Sequence, residues 1–176
     1  VLAVVEALQS RLPVASDAIR RGLAHTELPG RFQILQDRPQ IILDVAHNPH
    51  AAAVLAKNLK KTKPSGMTHA VFGAMADKDI DGVIALMKDC IDRWYLTDLP
   101  LPRAASAEVL KQKLMAAGIG QGKDSQCISV YHYAADALAS AKNNALKNDR
   151  IVAFGSFWVV TGVTENSGLN SPTNHH

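Results

Sequence analysis

The chain has 176 residues, 47% of them hydrophobic and 20% charged, enough for one ordinary globular core of about 100 to 150 residues with appendages. A net charge of +3 and an aromatic content of 5% provide neither a basic face nor an array of stacking rings, which argues against nucleic acid as a partner. No apolar run, including IVAF and WVV near the end, approaches the ~20 residues that span a bilayer, and Cys90 and Cys127 sit in no C-x-x-C pattern, so they read as buried, inert thiols of a reduced, cytoplasmic protein.

Residues 1–10, VLAVVEALQS, read as an amphipathic helix. They lack the basic flank and small-residue cleavage site of a secretory signal, and with no Met at the start they look like a helix cut from something larger. LPVAS breaks that helix, and Ser16 is placed to cap the next, DAIRRGLAH, with Asp17 at its positive end. Pro29-Gly30 then punctuates the chain. A boundary is set there, giving terminal helices over 1–27, an α/β domain over 28–166 and a polar tail over 167–176 that ends in NSPTNHH.

Beyond the boundary the pattern is regular. RFQIL and IILD are strand-like, AAAVLAKNL helical, MTHAVFGAM a strand and DIDGVIALMKD a helix. DRWYLTD, QCISVY and DRIVAFGSF continue as strands, separated by the helical segments SAEVLKQKLMAAG and YAADALASAKNNA. This alternation predicts a Rossmann-like, mostly parallel sheet with helices on both faces, Trp94 and Trp158 being expected in the core.

One stretch, IILDVAHNPHAAAVLAKNLK over 41–60, joins an apolar run to a helix through Asp, His, Asn and Pro. Asn48 suits a helix N-cap and Pro49 the first helical position, because proline lacks the amide hydrogen that a first turn leaves unpaired. Ala51, Val54, Leu55 and Leu59 then fall on one face at helical spacing. Asp44 is thereby placed at the carboxyl end of a strand and His47 beside a helix N-terminus, the rim where open α/β sheets bind ligands. Two readings stay open at this point: the pair recognises a ligand, or it ties down a loop.

The same choice applies to Gly73 and to Gly155-Ser156, which end two other strands and either bring backbone close to a ligand or turn the chain. Asp77, Lys78 and Asp79 read as a solvated helix start that can cap the helix after it, and Lys57, Lys60, Lys61 and Lys63 as solvated cations at a helix C-terminus. His25, His69, His132 and the terminal His pair show no metal-ligand spacing. There is no G-x-x-x-x-G-K-[ST], so this segment has no P-loop with which to cradle a triphosphate.

LPGRFQ, IILDVAHNPHAA, VFGAMADKD and DRIVAFGSF, in that order, resemble the C-terminal domain of the Mur-ligase superfamily. Within it the chain is similar to the bacterial bifunctional dihydrofolate synthase/folylpolyglutamate synthase family over about residues 28–160, an ordinary domain length. The resemblance implies an ATP-dependent amide ligase that adds L-glutamate to dihydropteroate and to reduced folates through an acyl phosphate. It implies Mg²⁺ and a P-loop on a preceding N-terminal ATP-binding domain, whose last helices would be residues 1–27. It also implies that Arg31 contacts ATP phosphate, that Asp44 lies on the ribose side, and that His47 and Ser156 lie near the incoming glutamate; the domain alone is expected to be inactive. A muramoyl-peptide ligase, a free-standing Rossmann-like nucleotide-binding module and a structural docking domain are the alternatives.

Overall fold

The computed structural model describes residues 2–24, 28–62, 64–120 and 127–166; His25, Lys63 and the tail over 167–176 lie outside them. Two short helices come first, α1 (Leu2–Leu8) and α2 (Ser16–Ala24), and leave Leu2, Val4 and Leu23 exposed. In α2, Asp17 of the first turn pairs with Arg21 one turn later.

A six-stranded sheet follows, built from β1 (Gln33–Asp37), β2 (Gln40–Leu43), β3 (Thr68–Phe72), β4 (Arg93–Thr97), β5 (Ile128–Tyr131) and β6 (Arg150–Phe154). Its spatial order is β1-β2-β6-β3-β4-β5. β1 and β2 form an antiparallel hairpin across a turn with a cis Arg38–Pro39 bond, and the other pairings are parallel. Parallel strands buried on both faces need apolar side chains in both directions, which is why IIL and IVAF read as unbroken apolar runs.

The alternation sorts them into two layers. Ile42, Phe72, Trp94, Val152 and Phe154 meet α3 (Pro49–Lys61), α4 (Ile80–Met87) and α5 (Ala107–Ala116). Ile41, Leu43, Val71, Ile151 and Ala153 meet α6 (Ala134–Asn144) and α7 (Phe157–Asn166). The expected α/β architecture with helices on both faces is therefore the observed one. On the first face Phe72 packs against Phe154 and Trp94 at ring centroid distances of 4.8 and 5.8 Å.

Asn48 caps α3 by accepting from the Ala51 amide at 2.9 Å, with Pro49 as the first helical residue. Such a cap is worth about 1 kcal/mol, whereas Leu55 and Leu59, at 1% and 0% exposure, each contribute about 2 to 3 kcal/mol by burial. Packing holds the helix, and the cap fixes where it begins.

Several expectations need correction. The buried face of α3 is Ala52, Leu55, Ala56 and Leu59, so Val54 is turned outward and is half exposed. Trp158 is also exposed, because Val159 and Val163 take the inner face of α7. That helix was not anticipated from WVVTG. Cys90 and Cys127 are half-buried rather than interior thiols. Asp79 does cap α4, accepting from the Gly82 amide at 2.9 Å, while Asp77 pairs with Lys78 on the surface.

At the amino ends of the strands lies a buried polar cluster. His69, with no exposure, sits between the Tyr95 hydroxyl and the Asp149 carboxylate, each at 3.2 Å. Asp149 also accepts from the Met67 and Leu146 amides. Burial alone would push its carboxyl up, but these bonds and His69 outweigh it and hold it below the ordinary value. Beside it the buried Arg150 guanidinium donates to the Leu59 and Thr62 carbonyls and to the Thr68 hydroxyl, closing the C-terminal end of α3.

Candidate functional site

The carboxyl ends of β2, β6 and β3 lie side by side, since Leu43 pairs with Ala153 and Phe72 with Phe154. The residues that leave these strands, Asp44, Gly155 and Gly73, therefore share one rim. Gly155 adopts a positive φ of 106°, and a methyl group there would collide with the Gly73 carbonyl oxygen. The two glycines bring backbone against backbone, which lets neighbouring strand ends close up.

Asp44 is 92% buried, with a residual exposure of 8%. One carboxylate oxygen accepts from the Phe32 amide at 2.9 Å and the other from the Ala46 amide at 2.8 Å. Burial pushes its carboxyl above the ordinary value, opposed by the two amides and by the charge of Arg31. Tying down the loop is thus part of what Asp44 does, and each oxygen keeps a further lone pair for another donor.

His47 is half-buried, and its Nδ1 lies 2.8 Å from the Val45 carbonyl. A carbonyl only accepts, so Nδ1 carries the hydrogen and, in the neutral ring, Nε2 carries the lone pair. Among the described residues no group bonds Nε2. Ser156, 7% exposed, precedes α7; its hydroxyl oxygen accepts from the Trp158 amide at 3.2 Å and keeps its own hydrogen to donate. Two helix N-termini, of α3 and α7, thus open on this rim with a His and a Ser at their mouths.

Arg31 reaches the same place from the other side of the hairpin. Because β1 runs antiparallel to β2, it starts at the rim, and the Phe32 amide is bonded to Asp44. The Arg31 side chain is exposed and, among the described residues, makes no ion pair. Arg31, Asp44, His47 and Ser156, separated by up to 125 positions in sequence, are gathered by the strand order into one neighbourhood.

A second polar pair was not anticipated. Asp98, at the end of β4, accepts from the Ala107 amide at 2.7 Å and from His132 at 2.9 Å. Burial would raise its carboxyl, but these partners outweigh it and hold it low. The pair borders a cleft of about 780 Å³ also lined by Tyr133, Trp158 and Glu165, next to the Ser156 turn and apart from Arg31 and Asp44. Nothing in sequence spacing joins residues 98 and 132; only the pairing of β4 with β5 does.

Residues 30–157 match the family described as Mur ligase, glutamate ligase domain. The chain belongs to that family. The glutamate ligase domain is also 41% identical over 156 residues to the dihydrofolate synthase/folylpolyglutamate synthase of Escherichia coli, covering 89% of this chain and 34% of that protein. The Mycobacterium tuberculosis protein of the same description is 34% identical over 108 residues, which is 61% of this chain and 22% of that one.

Among solved structures the domain resembles E. coli FolC in complex with DHPP and ADP, with a TM-score of 0.82 and 39% identity over 93% of this chain and 36% of that one. It also resembles a bifunctional folylpolyglutamate synthase/dihydrofolate synthase with Mn, AMPPNP and L-glutamate bound, with a TM-score of 0.78 and 38% identity over 93% and 37% of the two chains. The chain spans about a third of the length of these relatives.

Proposed function

We propose that this domain is the C-terminal, glutamate-side part of an ATP-dependent ligase that joins L-glutamate to dihydropteroate and to reduced folates through an acyl phosphate, in the cytoplasm. The observation that carries the reading is the meeting of an exposed Arg31, without an ion pair among the described residues, the carboxylate of Asp44 and the N-termini of α3 and α7 on one rim. Resemblance to proteins crystallised with ADP, with AMPPNP and Mn, and with L-glutamate supports it.

In this reading the Arg31 guanidinium takes two phosphate oxygens of ATP and neutralises charge as the phosphoryl group moves, a preset electrostatic contact. Asp44, already ordered by two amides, accepts a hydrogen bond from a ribose hydroxyl. His47 offers Nε2 to the ammonium of glutamate, where a lone pair both orients the amine and accepts a proton as it becomes a nucleophile. The Ser156 hydroxyl and the amides at the start of α7 suit a glutamate carboxylate.

Among the described residues no three His, Cys, Asp or Glu side chains gather so as to hold a metal ion. On the family resemblance, Mg²⁺ and a P-loop are assigned to a preceding ATP-binding domain, of which residues 1–27 would be the last helices. The site is then complete only when the two domains close, which keeps water from the acyl phosphate.

The test is ADP release by the complete ligase with glutamate and either dihydropteroate or a reduced folate as acceptor. Turnover with both supports the reading. Turnover only with a UDP-muramoyl acceptor would move the protein to the muramoyl-peptide ligases, and normal turnover by both Arg31→Ala and Asp44→Ala would refute the site.

A further inference from the structure

The segment that carries Arg31 is held more tightly than an exposed arginine needs. Gly30 has φ 68° and Phe32 φ 47°, so the residues on both sides of Arg31 lie in the left-handed region. Glycine adopts it freely, and here a methyl group would come within 2.9 Å of the Val45 side chain. Phenylalanine does not, and it is kept there by the bond from its amide to Asp44 and by packing of its ring against the core.

Besides the Phe32 amide, three backbone groups around Arg31 have partners. The Arg31 amide donates to the Leu28 carbonyl at 3.0 Å, and the Gly30 carbonyl accepts from the Val45 amide at 2.7 Å. The third, the Gly30 amide, donates to the side-chain oxygen of Gln33 at 3.0 Å. Gln33 is itself the first residue of β1 and is paired with Leu43 in the sheet. Its side chain is the strut between the sheet and the turn.

We propose that Gln33 is a positioning residue for Arg31, fixing through the Gly30 amide the backbone arc from which the guanidinium reaches its anionic ligand. This rests on the reading of Arg31 as a phosphate contact. A preset backbone leaves only the side chain to be ordered when phosphate arrives, and small displacements of a charge-stabilising group are costly to turnover.

The test is a double-mutant cycle in the complete ligase. Gln33→Met keeps the length and removes the acceptor; it is expected to lower kcat/KM for ATP about tenfold, while Gln33→Glu, which keeps an acceptor, recovers most of the loss. In an Arg31→Ala background Gln33→Met is expected to cost nothing further, because its effect runs through Arg31. Phe32→Gly, which leaves the backbone bonds possible but frees the left-handed position, gives a second cycle with the same expectation should the Met variant fail to fold.

Wild-type kinetics for Gln33→Met, or an equal loss with and without Arg31, overturns the proposal. Wild-type turnover by Arg31→Ala instead removes the phosphate-contact reading on which the proposal stands, so the two failures are told apart.

Discussion

The two ends of the sheet use the same residue types to opposite ends. At the amino end His69, Asp149, Arg150 and Thr68 are buried and bonded to one another or to backbone. At the carboxyl end His47 and Ser156 are bonded once and keep capacity, and Arg31 is exposed without an ion pair among the described residues. Polar groups matched in this way hold a fold together, since leaving one unmatched costs about 1 to 3 kcal/mol; at the amino end the Arg150 Nε, buried and without a partner among the described residues, bears that cost. Spare donors and acceptors are what a ligand needs, which is the role proposed above for the carboxyl end.

The largest effect should separate chemistry from stability. Arg31→Ala is expected to lower turnover of the complete ligase by a factor of about 10² to 10³, with an unfolding midpoint unchanged in urea. If the midpoint falls instead, the carboxyl end is structural after all. His69→Ala should do the reverse, leaving the Tyr95 hydroxyl and Asp149 short of a partner and opening a cavity, at a cost of about 3 kcal/mol with kcat per folded molecule preserved. Asn48→Ala, which removes the cap of α3 beside His47, is expected to cost about 1 kcal/mol and to raise KM for glutamate; a stability loss alone would restrict the cap to folding.

The smallest effect is a difference of sign with pH. Asp149 is held below its ordinary value, so it adds stability that is complete above the unfolded pKa and is lost as pH falls through the folded one. Asp44 is pushed above its ordinary value, so its contribution is present at low pH and is lost as pH rises through the folded value. Between about pH 5 and 2, Asp149→Asn should therefore make the acid loss of stability shallower and Asp44→Asn steeper, measured as urea midpoints across that range. Changes of equal sign would show that the two carboxylates do not differ as described.

What could be read from sequence follows from how local each feature is. The start of α3 was legible because Asn48 and Pro49 carry their own geometric reasons, and the strands were legible because burial on both faces leaves apolar runs. Val54 was misplaced because a two-residue error in choosing a helix face is invisible when Ala52 and Ala56 are as compatible with packing as Ala51. Helix α7 was missed because FWVVTGV is rich in aromatic and β-branched residues with low helix propensity, and it is the sheet packing of Val159 and Val163 that overrides them. The His69–Asp149 pair spans 80 positions and carries no spacing signal. Of the candidate site, Asp44 and His47 were placed by their loop, whereas the grip of Asp44 on Phe32 depends on a hairpin whose direction the residues do not announce.

That hairpin has a mechanical consequence. Because β1, the edge strand, runs against β2, the covalent path into the sheet arrives at the rim of Asp44, within a few residues of Arg31. A rotation of the sheet about this entry would sweep its far edge, at β5, through a wide arc while Arg31, close to the fulcrum, hardly moves. His47 follows β2 and Ser156 follows β6, the two strands nearest β1, so the whole candidate site rides close to this entry and stays in register while the far edge swings.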